Sequence, residues 1–264
     1  MKSILPALTA ALTVFLTVPA GAVVVESFDN ALKNGAAANF ADQGRWTIND
    51  PGPDLSFIQT GSAYGAAGKA VGLGGFYEVP TGSSVRLGTS VSQALAGFTF
   101  TADFALVNRY AGDTGTFFPQ DDRFGFVLSD SAGELLNVDF APTTAEDIRQ
   151  VFVNGLPLPN NGILASDYNT PLWYTLGVSF SANGADLDYA LTLAGGAITS
   201  TGTLSGKAAA TLAAIGIDFD VLGAVPGSNY IVVDNIAIPE PSAALTSFLA
   251  LGLMSRCRRR WRPI

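Results

Sequence analysis

The chain has 264 residues and an acidic composition, with 14 Lys and Arg against 22 Asp and Glu, no histidine and one cysteine. Without histidine, Ser-His-Asp and Cys-His nucleophiles are excluded, as are the common histidine-ligated zinc sites. The single cysteine, Cys257, excludes a disulfide within the chain, so stability must come from a hydrophobic core.

The N-terminus has the three parts of a secretory signal. Lys2 supplies a positive charge, residues 4–18 form an apolar run, and Ala20, Gly21 and Ala22 form a small-residue cleavage site. This order predicts a signal peptide over residues 1–22. The alternative is a helix that stays in the membrane, which Pro19 and Gly21 at the boundary disfavour.

The C-terminus combines a strand breaker, an apolar segment and a basic cluster. Pro239 and Pro241 flank Glu240 and end the strand-like run before them, because proline cannot donate to a ladder. The uncharged residues 242–254 follow, and then an arginine cluster that resists crossing a membrane. The cluster comprises Arg256, Arg258, Arg259, Arg260 and Arg262.

This C-terminal order resembles the PEP-CTERM sorting signal of exported bacterial proteins, over residues 239–264. The resemblance implies processing by an exosortase-type enzyme, with Pro239, Glu240 and Pro241 as the matching motif. As a helix, residues 242–254 rise roughly 20 Å at about 1.5 Å per residue, which is short for a hydrocarbon core of about 30 Å. The segment therefore predicts a short transmembrane helix with transient inner-membrane contact, and the alternative is an ordinary C-terminal anchor.

The region between the two ends is strongly acidic. Residues 23–238 keep 8 Lys and Arg and 21 Asp and Glu, a net charge of about −13. Nucleic acid is excluded as a partner because phosphate contacts need a basic surface. The acidity suits solubility, cation binding or a cation-rich matrix, and the simpler explanation, which we favour, is a solvated surface without a ligand.

The middle region alternates apolar and polar residues with period two. Phe98, Phe100, Phe104 and Leu106 share one strand face in residues 97–107. Residues 173–181 and 185–193 alternate in the same way around Asn183 and Gly184, which predicts a hairpin. A second hairpin is predicted to turn through residues 129–133, and shorter strands are predicted at 84–87, 149–153, 212–220 and 230–238, among others.

Short strands with frequent turns, no long helix and no repeat predict one all-β domain over residues 23–238, a jelly-roll-like antiparallel sandwich. One short helical turn is predicted at residues 142–146, where Thr143 and Glu146 have capping-box spacing. Residues 24–29, 172–176 and 231–236 resemble concanavalin A-like or laminin G-like sandwiches and carbohydrate-binding modules.

In such sandwiches the first and last strands commonly lie side by side. Glu26 or Asp29 would then approach Asp234, and these carboxylates could hold a structural Ca²⁺ through oxygen ligands. The alternative is that Asp234 orients the last strand through hydrogen bonds to the backbone.

Aromatic and acidic side chains concentrate in residues 108–122, a predicted loop. Rings that stack on sugar faces beside groups that bind hydroxyls are typical of carbohydrate sites. The alternative is that the two phenylalanines close the end of the sandwich. The candidate ligand-binding residues are Tyr110, Asp113, Phe117, Phe118, Asp121 and Asp122.

Paired carboxylates also occur on two predicted strands, at Asp186 and Asp188 and at Asp218 and Asp220. Glycosidases need two carboxylates across the scissile bond. Acidic residues on the outer face of a strand are also ordinary solvated decoration. The sequence therefore predicts a non-enzymatic exported protein of the cell surface or extracellular matrix that binds extracellular polysaccharide, and the alternative is a secreted carbohydrate-active enzyme.

Overall fold

A computed structural model describes residues 23–26, 35–36, 46–49, 56–60, 69–74, 84–108, 123–143, 148–164, 166–167, 171–220 and 229–239. These residues form an all-β structure of two sheets. The pairing is antiparallel throughout the described ladders except between two short segments, residues 166–167 and 107–108.

Within the described ranges, ten strands belong to the larger sheet. They are β1 (Val23–Glu26), β2 (Gly35–Ala36), β4 (Ser56–Thr60), β5 (Lys69–Gly74), β7 (Thr99–Asn108), β12 (Ser166–Asp167), β13 (Tyr174–Asn183), β14 (Asp186–Leu193), β15 (Ile198–Leu204) and β17 (Asn229–Pro239). The main path runs β15-β14-β13-β7-β17-β5-β4-β2, with β1 beside β17 and β12 beside β7.

Seven described strands form the smaller sheet, in the order β11-β10-β9-β8-β16-β6-β3. They are β3 (Trp46–Asn49), β6 (Ser84–Ala94), β8 (Arg123–Asp130), β9 (Gly133–Pro142), β10 (Ile148–Val153), β11 (Leu156–Leu164) and β16 (Thr211–Asp220). Strands that follow each other in the chain often lie in different sheets, as expected for a sandwich.

The core lies between the sheets and is built from the predicted apolar faces. Phe100 and Phe104 of β7 are fully buried and meet Phe126 and Phe140 of the smaller sheet. The ring centroids of Phe104 and Phe140 are 4.9 Å apart. Because successive strand residues point to opposite sides, the same alternation leaves Thr99, Thr101 and Asp103 on the outer face.

Both predicted hairpins are confirmed. Asn183 pairs with Asp186 across the turn between β13 and β14, and Gly184 has a φ of 62°, which favours glycine. β8 and β9 join through Ser131 and Ala132. The backbone N–H of Ala132 donates to the Asp130 carboxylate. The first and last described strands also lie side by side, with Val23 opposite Pro239 and Glu26 opposite Ile236.

The strand predictions were incomplete in two ways. The strand predicted at residues 84–87 continues to Ala94 as β6, where polar residues such as the buried Thr89 interrupt the apolar pattern. β2, β11 and β12 were not predicted, and β11 carries Pro157 and Pro159. An edge strand tolerates proline because one side of its backbone is not paired.

Several predictions fall outside the described residues. These are the signal peptide, residues 240–264 of the sorting signal, and the loop at 109–122. Most of the helical turn predicted at residues 142–146 also lies outside the described residues. In its described part, Thr143 donates its hydroxyl to the Ile148 carbonyl at 2.9 Å. Within the described ranges, no helix has the length and apolar character needed to cross a membrane.

Candidate functional site

The ligand-binding residues predicted from the sequence belong to the segment between β7 and β8. Tyr110, Asp113, Phe117, Phe118, Asp121 and Asp122 all lie in residues 109–122, outside the described ranges. The structure fixes only the two ends of that segment. β7 ends at Asn108 in the larger sheet, and β8 begins at Arg123 in the smaller one.

Two of the three predicted calcium residues lie on paired strands, Glu26 on β1 and Asp234 on β17. Asp234 is 4% exposed and stands opposite Asp103 in the ladder. Its Oδ1 accepts from the backbone N–H of Asn235 at 2.8 Å, which is the backbone role given above as the alternative. Asn235 has a φ of 49° at a bulge in β17, so its side chain turns towards Asp103.

Beside Asp234 in the ladder, donors of the protein itself bind the carboxylate of Asp103. Asp103 accepts from Thr175 Oγ1 at 2.7 Å and from Asn235 Nδ2 at 3.1 Å, so both of its carboxylate oxygens serve protein donors. Calcium needs six to eight oxygen ligands, and the described residues contain no group of three acidic side chains suited to a metal. Asp29 lies outside the described ranges, and the calcium site stays a prediction.

A shallow depression lies on the outer face of the larger sheet, where β13, β14 and β15 run side by side. Its volume is about 310 Å³. Hydroxyl groups and one carboxylate dominate the lining. The lining residues are Ser179, Ser181, Asp188, Tyr189, Ala190, Thr201, Gly202 and Thr203.

Register explains why these side chains meet. Asp188 stands opposite Ser181 on one side and Thr203 on the other, and Ala190 stands opposite Ser179 and Thr201. Directly opposed residues point to the same face of a sheet, so polar positions of three strands form one surface.

The depression is preorganised by its own hydrogen bonds. Asp188 Oδ1 accepts from Thr203 Oγ1 at 2.6 Å, and Oδ2 accepts from Asn183 Nδ2 at 3.0 Å. Asp186 Oδ1 accepts from the backbone N–H of Gly206 at 2.7 Å. These carboxylates therefore hold β14 against β15 and the hairpin turn, which fixes the lining before any ligand arrives.

A charged cluster occupies the outer face of the smaller sheet. Arg86 of β6 binds Asp218 of β16 with both ends of its guanidinium, at 2.7 Å from Nε and 2.5 Å from Nη2. The same Nη2 lies 2.9 Å from Glu134 Oε1. Arg86 extends over Gly216, where a Cβ would lie 3.3 Å from its Cδ.

Asp139 of β9 is the most buried member of this cluster, at 6% exposure. Burial raises its pKa to about 6; the charge of Arg123 lowers it, and the charges of Asp220 and Asp218 raise it. Arg123 Nη1 lies 3.9 Å from Asp139 Oδ2, and its guanidinium lies 5.8 Å above the Phe152 ring. Burial also raises the pKa of Asp218, against the lowering effect of its hydrogen bond with Arg86.

The geometry separates the carboxylate pairs found in the sequence. Asp186 and Asp188 belong to the outer face of the larger sheet, and Asp218 and Asp220 to the outer face of the smaller one. The core lies between them, so they cannot act on one substrate bond together. The acidic neighbour of Asp218 across the smaller sheet is Asp139. Gly125 of β8 lies between them, opposite Asp218 of β16 on one side and opposite Asp139 of β9 on the other.

Sequence reasoning did not single out the hydroxyl residues of the depression or Asp139. In a strand that alternates apolar and polar residues, every polar position looks like ordinary outer-face decoration. Only strand order and register show which of these positions meet. The local sequence carries no signal that separates Asp139 from the other acidic residues.

The fold defines the chain as an antiparallel β-sandwich. No protein-family model matches the sequence, and no curated protein matches it. Solved structures of similar shape include the catalytic domain of a GH131 β-glucanase from Podospora anserina, at 10% identity and a TM-score of 0.48, covering 84% of this chain and 97% of that one.

Two other similar structures are lectin-type domains. The carbohydrate recognition domain of Emp47p has 8% identity and a TM-score of 0.46, with coverage of 82% of this chain and 94% of that one. A legume lectin-like domain from Entamoeba histolytica has 14% identity and a TM-score of 0.40, with coverage of 80% and 94%. At such scores and identities, these likenesses carry no argument about what this chain binds.

Proposed function

We propose that this chain is a non-enzymatic exported protein of the cell surface or extracellular matrix, and that it binds polysaccharide in the depression on β13, β14 and β15. The observation that carries the binding proposal is the depression itself, with its hydroxyl groups and the preorganised carboxylate of Asp188. Sugar hydroxyls both donate and accept, so this lining offers them partners of both kinds.

The acidic chain narrows the class of polysaccharide. Residues 23–238 carry a net charge of about −13, which repels anionic polymers at low ionic strength. A neutral polysaccharide is therefore the expected ligand. Export and sorting to the surface are supported by the signal-peptide pattern of residues 1–22 and by the Pro239-Glu240-Pro241 motif with its arginine cluster.

A matched pair of tryptophan variants of the full-length chain tests the binding site. Ser179→Trp fills the depression, and we expect at least a tenfold loss of affinity for the polysaccharide that the wild-type chain selects on a glycan array. Ser90→Trp is the control, because Ser90 is an exposed serine on a strand of the smaller sheet and lies outside the depression. Wild-type-like binding by Ser179→Trp, or no binding by the wild-type chain, would refute the proposal.

A carbohydrate-active enzyme is the second candidate, favoured by the charged cluster. Asp139 and Asp218 lie on either side of Gly125, as a general acid and a general base lie on either side of a scissile bond. Asp139, with a pKa of about 6, would be the acid, and Asp218, which Arg86 binds, would be the base. The same purified chain is assayed for release of sugar from polysaccharides. Turnover that disappears in Asp139→Asn would replace the binding proposal with this one.

A further inference from the structure

The free edge of β15 differs from the other sheet edges. Among the described strands, the larger sheet ends at β15 and β2, and the smaller sheet at β11 and β3. β2 has only two residues and β3 only four. β11 carries Pro157 and Pro159, and short strands and prolines are devices that prevent edge-to-edge pairing.

β15 carries none of these devices in its seven residues. Its sequence, Ile-Thr-Ser-Thr-Gly-Thr-Leu, has no charge and no proline, and its ladder with β14 runs without a register shift. No described strand pairs with its other side. Thr199, Thr201 and Thr203 are all exposed. A regular and uncharged edge of this kind is a template for another strand.

The sequence of β15 is self-complementary about Thr201. In an antiparallel pair of two copies centred on Thr201, each Thr199 stands opposite a Thr203. On the other face, Ile198 stands opposite Leu204, and Ser200 opposite Gly202. A two-fold interface brings the same surface together from both copies, so it needs this match of like with like.

Other registers lose the match. A shift that centres the pair on Ser200 places Ile198 opposite Gly202, and a shift towards Gly202 places Leu204 opposite Ser200. Each shift leaves an apolar side chain without an apolar cross-strand partner, and such pairs are the unit of sheet stabilisation. The register centred on Thr201 is therefore the favoured one.

We propose that β15 pairs with β15 of a second copy of this chain, antiparallel about a two-fold axis at Thr201, and so joins the two larger sheets into one continuous sheet. The interface does not depend on the proposed function, because it rests only on the edge and its sequence. It also has a consequence for the depression, which Thr201, Gly202 and Thr203 border on this side. In the dimer, the lining of one copy continues into that of its partner, which suits a long polymer better than a short sugar.

Single cysteines test the pairing and its register together. In a Cys257→Ser background of the full-length chain, Thr201→Cys places two cysteines opposite each other, with Cα atoms about 4.5–5.5 Å apart. This distance allows a disulfide. Under mild oxidation, most of the protein should migrate at twice the mass of one chain on a non-reducing gel.

Thr199→Cys is the matched control on the same strand and face. Its two copies are separated by four residues along the strand, about 13 Å, which is too far for a disulfide. Thr199→Cys combined with Thr203→Cys restores the opposition and should cross-link again. Equal cross-linking by Thr199→Cys and Thr201→Cys, no cross-linking by Thr201→Cys, or a product only with a different protein would each overturn the proposal.

Thr201→Lys provides a second measurement, because it places two positive charges against each other at the axis. We expect sedimentation equilibrium to give a monomer for this variant and a concentration-dependent dimer for the wild-type chain, with the same unfolding temperature at low concentration. A wild-type chain that stays monomeric up to millimolar concentration would contradict the interface, even if glycan binding is intact.

Discussion

Asp139 lowers the stability of the folded chain at pH values where its carboxylate is ionised. Its pKa is about 6 in the folded chain and 3.8 in an ordinary exposed aspartate, mainly because burial disfavours the charged form. The folded state therefore binds the proton more tightly than the unfolded state. The stabilisation that this proton binding gives is complete below about pH 4 and is lost as the pH rises to about 6.

Asp139→Asn should therefore stabilise the chain at pH 7.5, by up to about 3 kcal/mol for a pKa shift of about two units. The difference from wild type should vanish at about pH 2, which lies below both pKa values, so that the aspartate is protonated in both states. Chemical denaturation at both pH values measures this. A variant that is less stable than wild type at pH 7.5 would show that the Arg123 contact outweighs the cost of burial.

In the proposed binding site, no single hydroxyl group is expected to carry the affinity. Ser179, Ser181 and Thr201 carry one hydroxyl group each, and the register of β13, β14 and β15 brings these groups to one surface. This is why a large side chain at Ser179, rather than the removal of one hydroxyl, is the informative change.

At the scale of elements, the hairpin of β13 and β14 depends on the left-handed backbone of its turn. Gly184 has a φ of 62°, where an L side chain clashes with its own carbonyl. Gly184→Ala should reduce the free energy of unfolding by about 1–2 kcal/mol.

Gly88→Ala is the control for this change. A Cβ at Gly88 would only touch the Ile215 carbonyl at 3.7 Å, an ordinary contact, and the backbone there is extended. This variant should be neutral or slightly stabilising, because alanine restricts the unfolded chain. Equal losses in both variants in urea unfolding would show that space, and not backbone conformation, limits the two positions.

Edges are the other feature that belongs to elements. β11 keeps Leu156 71% exposed, yet its two prolines block regular pairing. β15 has no such protection within its seven residues. The contrast between the two edges, more than any single residue, is what makes β15 the expected site of association.

At the scale of the whole molecule, a cluster of aromatic rings joins the two sheets. Phe104 of the larger sheet is fully buried, and its ring centroid lies 5.4 Å from that of Phe126 and 4.9 Å from that of Phe140 in the smaller sheet. Because the sequence has no disulfide within the chain to support the fold, the hydrophobic core must hold the sheets together, and this aromatic cluster is part of it.

Phe104→Ala should cost about 3–5 kcal/mol, the range for a buried phenylalanine that leaves a cavity. Leu156→Ala, at an exposed edge position, should stay within about 0.5 kcal/mol of wild type. Thermal and urea unfolding of both variants test this. A small loss at Phe104 would mean that the two sheets can close over the missing ring.

The outer faces of the two sheets carry different kinds of polar side chains. Its larger sheet carries the hydroxyl depression, and its smaller sheet carries the charged cluster of Arg86, Asp139 and Asp218 on the opposite outer face. The depression and the charged cluster can therefore change independently, so variants of one face serve as controls for the other.

The sequence alone determined the all-β fold class and the core faces of β7 and of both hairpins, whereas the adjacency of the first and last strands was expected only from the resemblance to concanavalin A-like sandwiches. Period-two alternation and turn residues are local signals, and they survive without knowledge of the partner strands. The same signals failed for β11, where proline suits an edge, and for the far half of β6, where polar residues continue the strand.

Only the tertiary structure decided which polar positions meet. The depression joins residues of β13, β14 and β15, and the charged cluster joins residues of β6, β8, β9 and β16, which lie up to 132 residues apart in the Arg86 and Asp218 pair. Outer-face residues look alike along one strand, because alternation fixes the face and not the neighbour. Strand order and register choose the neighbours, and they follow from the packing of the whole sandwich.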